Sequence, residues 1–168
     1  AEGTVRETIG HAPPAIAAMI ELQYLTGARP GEVCQIRPAD VTFATNGVWC
    51  YRPQQHKTQH HGKDRRIYIG AEGQDILRPF LKRDSDAYCF SPRESEDVRN
   101  AERKAERKSP MTPSQKKRKR KTNRKRQPKE SYTKDSYCRA VKRAAEKAGV
   151  PTWTPNQLRH TRATIIRE

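Results

Sequence analysis

No two cysteines in this 168-residue chain stand close enough to form a C-x-x-C pair; Cys34, Cys50, Cys89 and Cys138 are scattered. That spacing argues against a disulfide framework or a cysteine zinc site, and favours four reduced thiols in a cytosolic protein. No apolar run approaches the ~20 residues of a membrane-spanning helix, and the N-terminus lacks a signal-peptide pattern, so a soluble intracellular protein is expected. Hydrophobic residues are scarce at 33%, and no internal repeat is visible. Length and composition together support one domain with one core rather than two.

Positive charge is abundant. The chain has 35 Lys/Arg against 19 Asp/Glu, a net of +16, and a pI near 10.1. Fifteen of the basic residues and six of the acidic ones fall between Glu94 and Ser131, so more than half of the excess sits in one segment. Within it, Lys116–Arg126 holds nine Lys/Arg in eleven positions, including Lys116, Lys117, Arg118, Lys119 and Arg120. A polyanionic partner follows, and nucleic acid is the commonest one. Readers of single-stranded RNA carry aromatic stacking motifs that are missing here, which favours duplex DNA.

The apolar pattern outlines the organisation. Residues 1–13 read as a tether. Pro14 opens a helix with Ile16, Met19, Ile20, Tyr24 and Leu25 at helical spacing, and Gly27 stops it. A short helix follows from Pro30 to Ile36, ended by Arg37-Pro38. Val41–Phe43, Val48–Arg52 and Arg65–Ile69 read as strands, turned at Asn46-Gly47 and at His56–Gly62, giving a three-stranded antiparallel meander. Glu72–Arg83 reads as a helix and Ala87–Phe90 as a short extended run. Residues 94–131 contain almost nothing apolar and are expected to be a disordered insertion, apart from a charged helix at Ser95–Lys108. Thr133 caps a helix to Ala148, and Thr154-x-x-Gln157 with Pro155 marks the start of the last one. The fold class is α+β, mainly α, with a small antiparallel sheet, in one domain over residues 1–168.

Two arginine boxes stand out. Leu25-Thr26-Gly27-Ala28-Arg29-Pro30-Gly31-Glu32-Val33 places Arg29 in a corner between two helices. Thr154-Pro155-Asn156-Gln157-Leu158-Arg159-His160-Thr161 places Asn156 and Arg159 three apart on one helical face, with Leu158, Thr161 and Ile165 on a core-facing arc. Free N–H groups and the dipole at a helix start favour an anion, and a guanidinium fork grips two phosphate oxygens at once. Two forks can stabilise a charged pentacoordinate phosphorane. Asn156 has a second reading as a local cap. His160 reads as a structural partner behind Arg159, and His56, His60 and His61 show no tetrahedral ligand spacing with Cys50.

T-G-A-R-P-G-E-V, a hairpin bearing His56-Lys57-Thr58, and P-N-Q-L-R-H-T-R-A-T, in that order, resemble the catalytic domain of tyrosine recombinases, the phage integrase family. The resemblance spans roughly residues 15–93 and 132–168. It implies that Arg29 and Arg159 clamp a scissile phosphate and that the hairpin lysine, Lys57 with Lys63 as runner-up, protonates the leaving 5′-oxygen. It implies duplex DNA and other protomers on paired sites as partners, and neither a membrane, a small-molecule substrate, a metal nor a nucleotide cofactor. A bacterial or phage cytoplasmic setting, on the nucleoid, fits the same resemblance.

Two departures from the family pattern bear on mechanism. Asn156 stands where the family usually has histidine, and an amide exchanges no proton near neutral pH. The family's third His/Trp and its tyrosine nucleophile follow the second arginine by some tens of residues, whereas Tyr24, Tyr51, Tyr68, Tyr88, Tyr132 and Tyr137 all precede Arg159. The chain is therefore expected to be part of a longer protein, inactive by itself, with an N-terminal DNA-clamping domain before it. The alternatives are a non-catalytic DNA-binding protein with the same fold, and a type IB topoisomerase, which shares the chemistry.

Overall fold

Capping residues and prolines set most of the helix boundaries. The computed structural model describes residues 2–44, 47–55, 62, 64–118, 127–165 and 167. Its first helices are α1 (Glu2–Gly10), α2 (Pro14–Thr26) and α3 (Pro30–Cys34), with a 3-10 turn at Pro38–Asp40. Pro14 and Pro30 each sit in a first turn, where a missing N–H costs nothing. Gly27 closes α2 in the left-handed conformation, φ 64°, and its N–H donates to the Gln23 carbonyl at 2.9 Å. Helix α2 is buried around most of its circumference and forms the centre of the domain, packed on α1, α3, α4 (Ala71–Leu77) and α8 (Pro155–Ile165).

Strands β1 (Val41–Phe43), β2 (Trp49–Tyr51) and β3 (Ile67–Ile69) form the expected antiparallel meander in the order β1-β2-β3. Thr42 pairs with Cys50 and Cys50 with Tyr68, so these three share the outer face, while Val41, Tyr51, Ile67 and Ile69 turn to the core. Gly47 has φ 77°, as the turn requires; its predicted partner Asn46 lies outside the described residues. Helices α7 (Lys134–Lys147) and α8 (Pro155–Ile165) complete the fold. Thr133 caps α7, its hydroxyl accepting from the Ser136 N–H, and the Gln157 side chain accepts from the Thr154 N–H at 2.8 Å at the start of α8. No described helix is long and apolar enough to cross a membrane.

The structure departs from the sequence reading at several points. Residues 2–10 form a helix rather than a tether, because Val5, Thr8 and Ile9 pack inward and Trp153 Nε1 donates to Thr8 Oγ1 at 3.0 Å. The helix expected over residues 72–83 stops earlier. Helix α4 covers Ala71–Leu77 and gives way to a 3-10 turn at Arg78–Leu81, since Pro79 has no N–H for another α-helical bond. Residues 87–90 form no strand; the Cys89 N–H donates to the Ile36 carbonyl at 2.8 Å. Within the insertion, α5 (Pro92–Ala105) covers most of the charged helix expected there. It is anchored by Arg83 on Glu94 (3.0 Å) and by the Tyr132 hydroxyl, which donates to Ser95 Oγ at 2.9 Å. Helix α6 (Pro113–Lys117), capped by Thr112, lies in the span expected to lack structure. Ile165, placed on the core arc, is 42% exposed because α8 has passed the body of the domain by then.

Candidate active site

The corner between α2 and α3 is built around Glu32. As the third residue of α3 it reaches back so that Oε2 accepts from the Arg29 N–H at 2.8 Å, while Oε1 accepts from Arg29 Nη1 at 2.9 Å. Arg65, just before β3, adds Nε on Oε1 at 3.3 Å and Nη2 on Oε2 at 3.4 Å. The Glu32 carbonyl accepts from the buried Tyr51 hydroxyl at 2.7 Å, which pins α3 to the sheet. Arg29 is thereby held at two atoms, and its side chain keeps a partly exposed edge.

Arg159 arrives from the other end of the sequence. Leu158 is buried and fixes the face of α8 that turns inward, and Arg159 Nη1 then donates to the Gly27 carbonyl at 2.8 Å. Burial lowers the pKa of Arg159 from its ordinary value, as do the nearby charges of Arg29 and Arg65, with Glu32 opposing them. Three guanidinium groups around one carboxylate leave two positive charges in a partly desolvated corner. An anion bound there would relieve the repulsion. A pocket of about 280 Å³ lies apart from this corner, between α1, α2 and α4, lined by residues such as Val5, Ile9, Tyr24 and Ile76 and by none of these arginines.

The two arginine boxes thus meet, over 100 residues apart in sequence. The phage integrase family model matches residues 6–168, nearly the whole chain. The chain belongs to the phage integrase family. Solved structures of two recombinases share its fold. The XerA recombinase is 19% identical with a TM-score of 0.58 over 99% of this chain, and the XerH site-specific recombinase bound to its difH substrate is 17% identical with a TM-score of 0.53 over 98%. This phage integrase family chain spans 48% of the first and 40% of the second. No curated protein matches it.

The other expected site residues fare differently. Asn156 shares the helix with Arg159 but is exposed, and its amide pairs with His160 Nε2 at 3.3 Å rather than with the arginine cluster. His160 is likewise exposed, so it does not pack behind Arg159; one turn beyond Asn156, it faces solvent with it. Lys116 and Lys117 close α6 and Arg118 follows it, all three exposed. Lys57, Lys63, Lys119 and Arg120 lie outside the described residues, as do His56, His60 and His61.

Sequence reasoning missed Glu32 and Arg65. Glu32 left a signal, an acid three residues after Arg29 at a helix start. Arg65 left none, because its place beside Glu32 depends on β3 pairing with β2.

Proposed function

We propose that this chain is the phosphate-clamping part of a site-specific DNA recombinase. Arg29 and Arg159 grip the non-bridging oxygens of one scissile phosphodiester, and Arg65 with Glu32 holds Arg29 in place. Lys57 donates the proton to the leaving 5′-oxygen, with Lys63 as the alternative donor. Asn156, released from His160, donates an amide hydrogen bond to the phosphate without moving a proton. In the full-length protein a tyrosine attacks phosphorus; the P–O5′ bond breaks, a 3′-phosphotyrosine forms, and a second 5′-hydroxyl later reverses the step on the partner strand.

The observation that carries this reading is the convergence of Arg29 and Arg159 on one corner with a surplus of positive charge. Tyr51 and Tyr137 are unsuited to serve as the nucleophile. Tyr51, which touches the corner, donates its hydroxyl to a backbone carbonyl, and burial raises its pKa. Tyr137 is buried as well, and its pKa is also raised by burial. The chain alone is expected to bind DNA without forming a covalent adduct. Duplex DNA, further protomers on paired sites and a cytoplasmic, nucleoid-associated setting complete the proposal, with the basic run from Lys116 to Arg126 lying along DNA outside the site.

The test is strand cleavage by the full-length protein on its own recombination site, read as the covalent protein–DNA adduct on a denaturing gel. Arg29→Ala or Arg159→Ala should lower adduct formation by about 10²–10³-fold while sparing most of the DNA affinity. Undiminished adduct from either variant would remove that arginine from the clamp. DNA binding with no adduct even from the parent would favour a non-catalytic binding protein.

A further inference from the structure

Gln23 is a fully buried amide on a helix whose other buried residues, Ile16, Ala18, Met19, Ile20 and Leu22, are apolar. A buried amide is stabilising only when its polar atoms are bonded, and both ends of this one are. Nε2 donates to the Ala28 carbonyl at 3.1 Å and to the Pro155 carbonyl at 2.8 Å, and Oε1 accepts from the Tyr137 hydroxyl at 3.1 Å.

The two carbonyls define what the amide joins. Ala28 immediately precedes Arg29, and Pro155 opens α8 one turn before Arg159. Arg159 crosses the same gap in the other direction, from α8 to the carbonyl of Gly27. The corner bearing one arginine and the helix bearing the other are therefore tied twice, once through Gln23 and once through Arg159 itself. An apolar side chain of the same size would fill the space but would remove the bridge between the Ala28 and Pro155 carbonyls, leaving the Arg159 bond to Gly27 to hold the two segments in register. Displacements near 1 Å at a reacting group can cost about 10²-fold.

We propose that Gln23 is a positioning residue that sets the distance and orientation between Arg29 and Arg159, so that both guanidinium groups reach the same oxyanion. The proposal rests on reading that pair as a phosphate clamp. Gln23 touches no phosphate itself and acts only through the two backbones it bridges.

The test uses the protein with inorganic phosphate as the probe and the arginine side-chain N–H signals in ¹⁵N-resolved NMR as the readout. Gln74→Met is the matched control. Gln74 is also a buried glutamine bridging two carbonyls, Gly47 at 2.6 Å and Ile69 at 3.0 Å, but it lies on α4 away from the arginines. Gln23→Met should move the Arg159 signal and weaken phosphate binding by about tenfold or more. Gln74→Met should lower the melting temperature comparably yet keep phosphate affinity within about twofold. If Gln23→Met does not fold, Gln23→Asn, which retains the amide but falls one methylene short of spanning both carbonyls, should give the same loss.

Phosphate affinity unchanged in the Gln23 variant, or lost equally in the Gln74 control, would overturn the positioning role and leave the clamp intact. Arg29→Ala and Arg159→Ala separate that result from failure of the clamp. If neither weakens phosphate binding, the clamp reading fails and the role of Gln23 falls with it.

Discussion

At Glu32 one carboxylate accepts four N–H bonds from two arginines, at 2.8 to 3.4 Å. Burial raises its pKa, but the Arg29 backbone N–H and the Arg29 and Arg65 guanidinium groups outweigh that, so the group lies below its ordinary value near 4.5. A carboxylate with a depressed folded-state pKa contributes stability that is complete above the unfolded value. That contribution disappears as pH falls through the depressed one. Glu32→Gln should therefore cost about 3 kcal/mol at pH 7, where two guanidinium groups lose their counter-charge. The variant should also lose less further stability than the parent as pH drops below about 4.5. Urea unfolding of both proteins at neutral and acid pH checks this, and parallel acid slopes would assign the titration to other carboxylates. Holding Arg29 in place is the chemical use of this arrangement, because an unpaired arginine in the same corner would be repelled by Arg65 and Arg159.

At the scale of elements, the joint between α2 and α3 depends on Gly27. Its φ of 64° disfavours a side chain, and a Cβ there would stand 3.4 Å from Arg162 Cγ on α8. Gly27→Ala should lower stability by about 1–2 kcal/mol. Gly31→Ala, on α3 with nothing near its Cβ position, should be neutral or slightly stabilising. Chemical denaturation of the two variants reads the difference, and equal effects would mean that the left-handed turn is not what sets the joint. The Gly27 stop, the Thr133 cap and the Pro155 start were all legible in the sequence because each is decided within four or five residues. The sheet was legible from its short runs separated by turn residues. Helix α1 was missed because its short inward face, Val5, Thr8 and Ile9, is recognisable only once α7 and Trp153 stand beside it. Gln23 hid for a similar reason: in sequence it interrupts an apolar face, and its partners at Tyr137 and Pro155 lie more than a hundred residues away. The arginines were legible by type and neighbourhood, but their shared corner depends on long-range contacts, such as Arg159 on Gly27 and Gln23 on Pro155, that no local pattern encodes.

Across the whole molecule the charge is unevenly spread, and that bears on how DNA is held. The segment from Glu94 to Ser131 carries fifteen basic and six acidic residues, while the rest has twenty basic and thirteen acidic. Helix α5 contains acids and bases together and is tied to the body through Arg83 and Tyr132, so its charges partly cancel locally. The run from Lys116 to Arg126 has nine bases and no acid. If it lies along the DNA backbone, each phosphate it neutralises releases counterions and adds about 0.9 to the slope of log affinity against log salt. Deleting 116–126 should then flatten the slope by about 4 if half of the nine bases touch phosphate, and weaken binding most at low salt. Arg29→Ala should instead change the slope by about 1 or less, because it removes a single phosphate contact. Fluorescence anisotropy on one duplex across a salt series measures both. A slope unchanged by the deletion would make the run a bystander and leave the body of the domain as the source of electrostatic affinity.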